Sequence, residues 1–189
     1  MPDRDVNSIR DLIFYQYAKI IAKRALAGGN AAEAKRAHYG FVKNTFRQLR
    51  DGAKSWSDIT REDWQFVESD RVCAYCGADG QLQREHIVPR SLRIKVECAT
   101  CDTLQGIHNQ VWACGECNRA KGGMGLYEFY RSRLPGDPKF YDEIPPLVEK
   151  KYLKTMFNCH QCAGTLDGRG PHEDTGLSAA DIDFILHGR

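Results

Sequence analysis

All eight cysteines of this 189-residue chain fall in four Cys-x-x-Cys pairs, with none left over. The pairs are Cys73/Cys76, Cys98/Cys101, Cys114/Cys117 and Cys159/Cys162. Two residues between the cysteines of a pair let both sulfur atoms reach one metal ion on a tight turn, and two such pairs complete a tetrahedral zinc site that is closed to water. The spacing therefore predicts two structural Zn²⁺ sites.

Disulfides and redox chemistry are the competing interpretations of the same pattern. Disulfides require an oxidising compartment, and the N-terminus (Met1-Pro2-Asp3-Arg4-Asp5) lacks the basic and apolar segments of an export signal. A redox Cys-x-x-Cys normally occurs once, at a helix start, and not four times. No apolar run approaches the length of a membrane span, so we expect a reducing, cytoplasmic setting and no membrane partner. Spacing alone leaves open which pairs share an ion.

A second group of chemically useful residues lies among these pairs. Glu85-His86-Ile87-Val88-Pro89 follows the first pair, Asn109 stands five residues before Cys114, and Cys117-Asn118-Arg119-Ala120-Lys121-Gly122 continues the third pair. A neutral imidazole can take a proton from water, and carboxylate and amide oxygens are the ligands that Mg²⁺ prefers. The combination is typical of a centre that hydrolyses phosphodiesters.

On these residues, from Cys73 to Gly123, the chain resembles the HNH endonucleases, the ββα-metal nucleases, in the subset with a four-cysteine zinc site. The matching stretch covers about a quarter to a third of the chain. The resemblance implies that one zinc ion is held by Cys73, Cys76, Cys114 and Cys117. The remaining residues, Cys98, Cys101, Cys159 and Cys162, would then form the second site and tie an inserted loop to the C-terminal segment.

The resemblance also implies a role for each residue of the catalytic set. His86 would be the general base on the first strand of a hairpin, with its other ring nitrogen held by an acceptor. Glu85 and Asn118 would bind a catalytic Mg²⁺ or Mn²⁺ ion, and Asn109 would hold the loop beside His86 through backbone hydrogen bonds.

Simpler explanations exist for the same residues. Glu85 stands where the family usually has Asp, and the alternative is a solvated carboxylate that tunes His86. The alternative for Asn118 is a helix N-cap. His86 could instead be a surface histidine or a zinc ligand, although the cysteines already complete both zinc sites by count.

Positive charge is unevenly distributed along the chain. Residues 1–56 hold 11 Lys/Arg against 5 Asp/Glu, whereas the rest holds 16 against 20. Helical periodicity predicts one helix from residue 9 to the glycines at 28–29 and another from about 31 to 49. Further helices are predicted from residue 60, over 126–134, from Pro145-Pro146 to about residue 157, and from residue 178. We expect DNA contacts from the second helix and from cations near the hairpin, the alternative being solvated surface charge. The candidates are Lys35, Arg36, Lys43, Arg47, Arg90, Arg119 and Lys121.

The predicted architecture is α+β and mostly helical, with a zinc-bound ββα-metal (HNH) core. The expected regions are a basic helical segment at 1–68, the nuclease core at 69–134 and a helical extension at 135–189 that carries the fourth Cys-x-x-Cys. By resemblance the protein would cut DNA and leave a 5′ phosphate and a 3′ hydroxyl, and a double-strand break would need a homodimer or two events. The alternative function is a zinc-stabilised nucleic-acid-binding or adaptor module with an inactive HNH centre.

Overall fold

The computed structural model describes residues 4–26, 31–55, 71–91, 104–168 and 180–181, and for residues 31–36 it describes the backbone alone. Helices dominate this part of the chain, together with one antiparallel two-stranded sheet, so the predicted α+β, mostly helical class is confirmed. The elements are α1 (Ile9–Ala25), α2 (Ala31–Arg50), β1 (Leu82–His86), β2 (Gln110–Cys114), α3 (Gly115–Lys121), α4 (Leu126–Arg133) and α5 (Pro146–Cys162), with 3-10 turns at Ile107–Asn109 and Phe140–Glu143.

Helix α1 is the central helix of the described fold. It begins after Ser8, whose hydroxyl accepts the N–H of Asp11 at 3.1 Å and caps the helix. Its aromatic side chains contact neighbours on two sides: Tyr15 meets Phe46 of α2 edge to face, and Phe14 stacks on Phe157 of α5. Because it lies between two helices, α1 is buried around most of its circumference.

Helix α2 is amphipathic, as its sequence predicts. Val42, Phe46 and Leu49 are buried against α1, whereas Arg47 and Arg50 are exposed. The repeat of 3.6 residues per turn places the apolar and the charged residues on opposite faces of the helix. Packing of the apolar face against α1 therefore directs the charged face outward.

Three helices are joined by a buried polar cluster. The carboxylate of Glu149 in α5 accepts hydrogen bonds from the Gln16 amide of α1 at 2.7 Å and from the Tyr127 hydroxyl of α4 at 3.0 Å. Burial raises the pKa of Glu149, and the two hydrogen bonds oppose that shift. The cluster fixes α5, which in turn donates from the Lys151 ammonium to the Gln110 carbonyl of β2 at 2.8 Å.

The hairpin formed by β1 and β2 continues directly into α3. Leu82 lies opposite Cys114 and His86 opposite Gln110, so the four-cysteine end and the His86 end are at opposite ends of the ladder. Side chains alternate across the sheet, and the face that carries Glu85 is the buried one that packs against α3. The hairpin thus presents two chemically different faces.

Helix α5 extends further than its sequence predicts. Pro146 occupies its first turn, as expected, but the helix runs to Cys162 instead of ending near residue 157. Cys159 and Cys162 therefore lie in the last helical turn. The helices predicted to begin at residue 60 and near residue 178 fall outside the described residues, apart from residues 180–181. Among the described helices, none has the length and apolar character that crossing a membrane requires.

Candidate metal centre and the adjoining hairpin

Four cysteines converge at one end of the hairpin. Cys73 and Cys76 lie at the turn before β1, Cys114 ends β2, and Cys117 is in the first turn of α3. Their sulfur atoms all lie within 4.8 Å of one another, and the Cys76 and Cys114 sulfurs are 3.9 Å apart. Four thiolates on a tetrahedral zinc ion are about 3.8 Å apart, since each lies about 2.3 Å from the metal. The cluster is a four-cysteine site compatible with zinc.

The backbone favours the thiolate at Cys73, whereas burial and the neighbouring sulfur atoms raise the pKa of the Cys117 thiol. Gly77 follows Cys76 at φ 73°, a left-handed conformation that side chains rarely adopt, and its N–H donates to the Cys73 carbonyl at 2.8 Å. Burial disfavours ionisation of Cys73, but N–H groups of Cys114, Tyr75 and Cys76 outweigh it and lower the pKa of the Cys73 thiol to about 7. Deprotonated sulfur is the form that binds zinc, so the donor set suits the ion.

The second predicted zinc site is only half described. Cys98 and Cys101 lie outside the described residues, whereas Cys159 is buried and Cys162 exposed in the last turn of α5. Within the described ranges, the cluster around Cys73 is the only group of cysteine, histidine or acidic side chains that meets the geometry of a metal site. The second site stays a prediction.

Asn109 fastens the loop that follows β1. Its side-chain oxygen accepts the N–H of Val88 at 2.8 Å, and its amide nitrogen donates to the carbonyls of Val88 at 2.8 Å and Leu104 at 2.9 Å. The residue is fully buried, and the N–H of Ile87 donates to its own carbonyl at 2.9 Å. These contacts hold the segment that follows His86. Neighbouring His108 is exposed.

His86 ends β1 and is half-buried. Burial lowers the pKa of its imidazole, and the positive charges of Arg90 and Lys121 lower it further. The ring is therefore neutral at neutral pH, the form that can accept a proton. Within the described part of the chain, neither ring nitrogen has a hydrogen-bond partner, so the acceptor expected to fix the tautomer is not seen there.

Glu85 makes contacts that its sequence position does not reveal. One carboxylate oxygen accepts the Tyr75 hydroxyl at 2.6 Å, and the other accepts the Lys121 ammonium at 2.9 Å. Its side chain is 5% exposed and that of Lys121 is 0% exposed, so the two charges form a buried ion pair. Glu85 is therefore not a solvated carboxylate. The sequence predicts that Lys121 contacts phosphate. In the structure its side chain points inward, and its ammonium also donates to the His86 carbonyl at 3.2 Å.

Asn118 lies about one turn before Lys121 on α3 and contacts Gln83 instead of Glu85. Its amide nitrogen donates to the Gln83 side-chain oxygen at 3.0 Å, two positions before Glu85 on β1. It is not the helix cap, because α3 begins at Gly115 and its N-cap is Cys114. The contacts between β1 and α3 thus run in parallel, Gln83 with Asn118 and Glu85 with Lys121.

A Mg²⁺ or Mn²⁺ ion shared by Glu85 and Asn118 does not fit this arrangement. Both Glu85 oxygens already accept hydrogen bonds, and the Lys121 ammonium occupies the side from which a cation would approach one of them. A hard divalent ion needs several oxygen ligands, commonly including water, and Glu85 is buried. The donor pair expected from the sequence therefore does not form a ready-made site.

The remaining predicted DNA contacts differ in exposure. Arg90 and Arg119 are exposed, as a phosphate contact requires. On α2, the Lys43 ammonium and the Arg47 guanidinium lie 3.7 and 3.6 Å from the same Asp5 oxygen, so an acidic partner offsets part of their charge. The side chains of Lys35 and Arg36 fall outside the described residues.

The hairpin is joined to α4 by residues outside the site predicted from the sequence. Tyr75, inside the first Cys-x-x-Cys, packs edge to face against Phe129 and Tyr130. The guanidinium of Arg133 reaches the Tyr75 carbonyl at 3.3 Å and the Cys117 sulfur at 3.8 Å. The aromatic residue between Cys73 and Cys76 was the one sequence feature that could have indicated this packing. Through these contacts α4 supports both the four-cysteine cluster and Glu85.

Comparison of the chain with models of known families, with curated proteins and with solved structures finds no significant match.

Proposed function

We propose that this protein is an HNH-type endonuclease that hydrolyses phosphodiester bonds in DNA, with His86 as the general base. The observation that carries the proposal is the position of His86 between two fixed points. The four-cysteine cluster lies at one end of the hairpin, and at the other end Asn109 fastens the loop directly after His86. A base must be held within hydrogen-bond reach of its water, and this arrangement supplies such rigidity.

The charge state of His86 supports the same chemistry. A neutral imidazole can take a proton from an attacking water, and burial, Arg90 and Lys121 all lower the pKa of His86. Arg90 is exposed and its charge acts on the imidazole, so it is close enough to attract a phosphate bound there. His86 would take a proton from the water as the water oxygen attacks phosphorus. The bond to the 3′ oxygen would break, and that oxygen would take up a proton from solvent water.

The Mg²⁺ or Mn²⁺ ion implied by the HNH resemblance stays a prediction. Binding at Glu85 and Asn118 would require the carboxylate to give up Lys121 and the amide to turn from Gln83. Removing the ammonium from a buried carboxylate is unfavourable, and binding of a divalent ion would have to offset that free energy.

The ion pair also favours the second candidate function, a zinc-stabilised nucleic-acid-binding or adaptor module that does not cut. A carboxylate neutralised by Lys121 and Tyr75 is a structural element of a stable core and needs no catalytic role. In that case exposed cations of the hairpin, among them Arg90 and Arg119, would bind DNA without cutting it.

A cleavage panel separates the two functions. Supercoiled plasmid, single-stranded DNA and branched DNA are each incubated with wild-type protein and no added divalent ion, Mg²⁺ or Mn²⁺. Cleavage of any form under any of these conditions, lost in His86→Ala, supports the endonuclease. Binding of DNA by both proteins without cleavage of any form supports the adaptor module.

A further inference from the structure

The face of the hairpin opposite α3 carries a basic aromatic cleft built around Trp112. The guanidinium of Arg71 lies 4.9 Å from the centre of a Trp112 ring, and that of Arg84 lies 5.7 Å from it. Arg84 is the cross-strand neighbour of Trp112, so their side chains share one face of the sheet. The cleft in front of them has a volume of about 270 Å³.

The cleft is positively charged. Among the residues that the structure describes, its lining includes Arg71, Arg84 and Lys151 and no acidic side chain. Among the described residues, neither arginine forms an ion pair, and both are exposed. Ile107, which is 51% exposed, adds an apolar edge. Both guanidinium groups lie over the Trp112 ring. A flat base that stacks on this ring takes the place of a guanidinium, which is then free to contact a phosphate.

We propose that this cleft binds an unpaired base of a single-stranded DNA segment, with Trp112 as the stacking surface and Arg71 and Arg84 contacting the flanking phosphates. The size fits one base, because the volume of about 270 Å³ lies just below the roughly 300–1,000 Å³ of pockets that hold larger, drug-sized ligands. Bases of a duplex are stacked on each other, so only an unpaired base can enter. The assignment of the strand to DNA rests on the proposed function.

The position of the cleft gives it a consequence for cleavage. His86 lies two residues beyond Arg84 on β1, and the alternation of a strand puts both on the same face of the sheet. Two residues of strand span roughly 7 Å. A base held on Trp112 would therefore place a neighbouring phosphate near His86. The substrate class that follows is DNA with unpaired nucleotides, such as single strands, loops and branch points.

The test compares a strand with bases and a strand without them. A 15-nucleotide oligothymidylate and an abasic oligomer of the same length are titrated at one fixed salt concentration with no added divalent ion. The His86→Ala protein serves as the background, so that binding is read without cleavage, and fluorescence anisotropy of labelled DNA gives each Kd. Trp112→Ala, Trp112→Phe and Arg84→Gln are added to this background. Tyr141→Ala is the matched control, because Tyr141 is also an exposed aromatic residue but lies outside the hairpin.

Trp112→Ala should weaken oligothymidylate binding roughly ten- to a hundredfold and leave abasic binding unchanged. Trp112→Phe should keep most of the affinity, Arg84→Gln should weaken both oligomers, and Tyr141→Ala should change neither. If Trp112→Ala weakens binding of both oligomers equally, or of neither, the proposal is overturned. It is also overturned if Trp112→Ala weakens binding of a duplex as much as binding of oligothymidylate. Free thymidine monophosphate that binds as tightly as the strand would also overturn it. Because cleavage is not measured, failure here is distinct from failure of the nuclease assignment.

Discussion

The Lys121 ammonium lies 2.9 Å from a carboxylate oxygen of Glu85, and both side chains are buried. The pair joins α3 to β1 next to His86, whose carbonyl also accepts a hydrogen bond from Lys121. A buried charge is tolerated only when it is paired, so each residue depends on the other. The two residues that resemblance assigns to metal and phosphate contacts thus contact each other in this fold.

Removing one partner of this pair should destabilise the protein strongly. We expect Lys121→Met to lower the free energy of unfolding by about 3–5 kcal/mol, because it leaves the Glu85 charge buried and unpaired. Chemical denaturation measures the change. Arg119→Met, an exposed position on the same helix, is the control and should cost far less.

The double variant Glu85→Gln with Lys121→Met makes the test specific to the pair. The double variant should lower the free energy of unfolding by less than the sum of the two single variants, since no unpaired charge remains. Equal destabilisation by Lys121→Met and Arg119→Met would contradict the buried ion pair.

The zinc content separates the two predicted metal sites. Wild-type protein should carry about two zinc ions per chain if both four-thiolate sites form. Cys76→Ser should lose the ion at the described cluster and loosen the hairpin, whereas Cys162→Ser should lose only the other ion. Metal analysis by mass spectrometry gives the counts. A Cys162→Ser protein with unchanged zinc content would show that the second site does not exist.

The pH dependence of cleavage should report the pKa of His86. A general base works when deprotonated, so the rate should rise with pH through the pKa of His86 and then level off. That midpoint should lie below the ordinary histidine value, because burial, Arg90 and Lys121 lower the pKa. Arg90→Gln removes one of the positive charges and should move the midpoint to higher pH.

The rate constant at saturating DNA is the quantity to measure, so that weaker binding does not enter. Arg119→Gln is the control, because Arg119 is exposed and does not contribute to the pKa of His86. A midpoint that stays in place in Arg90→Gln would contradict the electrostatic account.

The contacts of Asp5 give a direct test of the basic face of α2. If Lys43 and Arg47 contact DNA phosphates, Asp5→Asn should strengthen binding and steepen its salt dependence, because the carboxylate no longer competes with phosphate. Reversing the charges of Lys35, Arg36, Lys43 and Arg47 should do the opposite. Affinity measured across a salt series checks both. Unchanged affinity and salt slope in both proteins would make this face a solvated surface.

Local patterns in the sequence predicted most of the described helices. Periodic apolar residues predicted α1 and α2, and Pro146 marked the start of α5, all of which the structure confirms. The closeness of the first and third cysteine pairs followed from the resemblance. The end of α5 was missed because tertiary contacts extend the helix through Cys159, which is buried.

The contacts of Glu85 could not be predicted, because they depend on how α3 sits against β1. A helix presents a different residue to a strand with every small rotation, and no local pattern fixes that rotation. Whether Glu85 meets Lys121 or Asn118 is decided by packing. The same holds for Asp5, which reaches α2 across the fold and is far from Lys43 in sequence.

The rate of DNA cleavage by His86→Ala tests the central claim most directly. Plasmid nicking by this variant and by wild type is compared at equal zinc content and equal DNA occupancy. Removal of a positioned general base should slow cleavage by roughly 10² to 10⁴-fold while zinc and DNA binding are kept. Cleavage by His86→Ala at the wild-type rate would contradict the assignment of His86 as the base, and absence of cleavage by the wild-type protein on every DNA form would contradict the endonuclease itself.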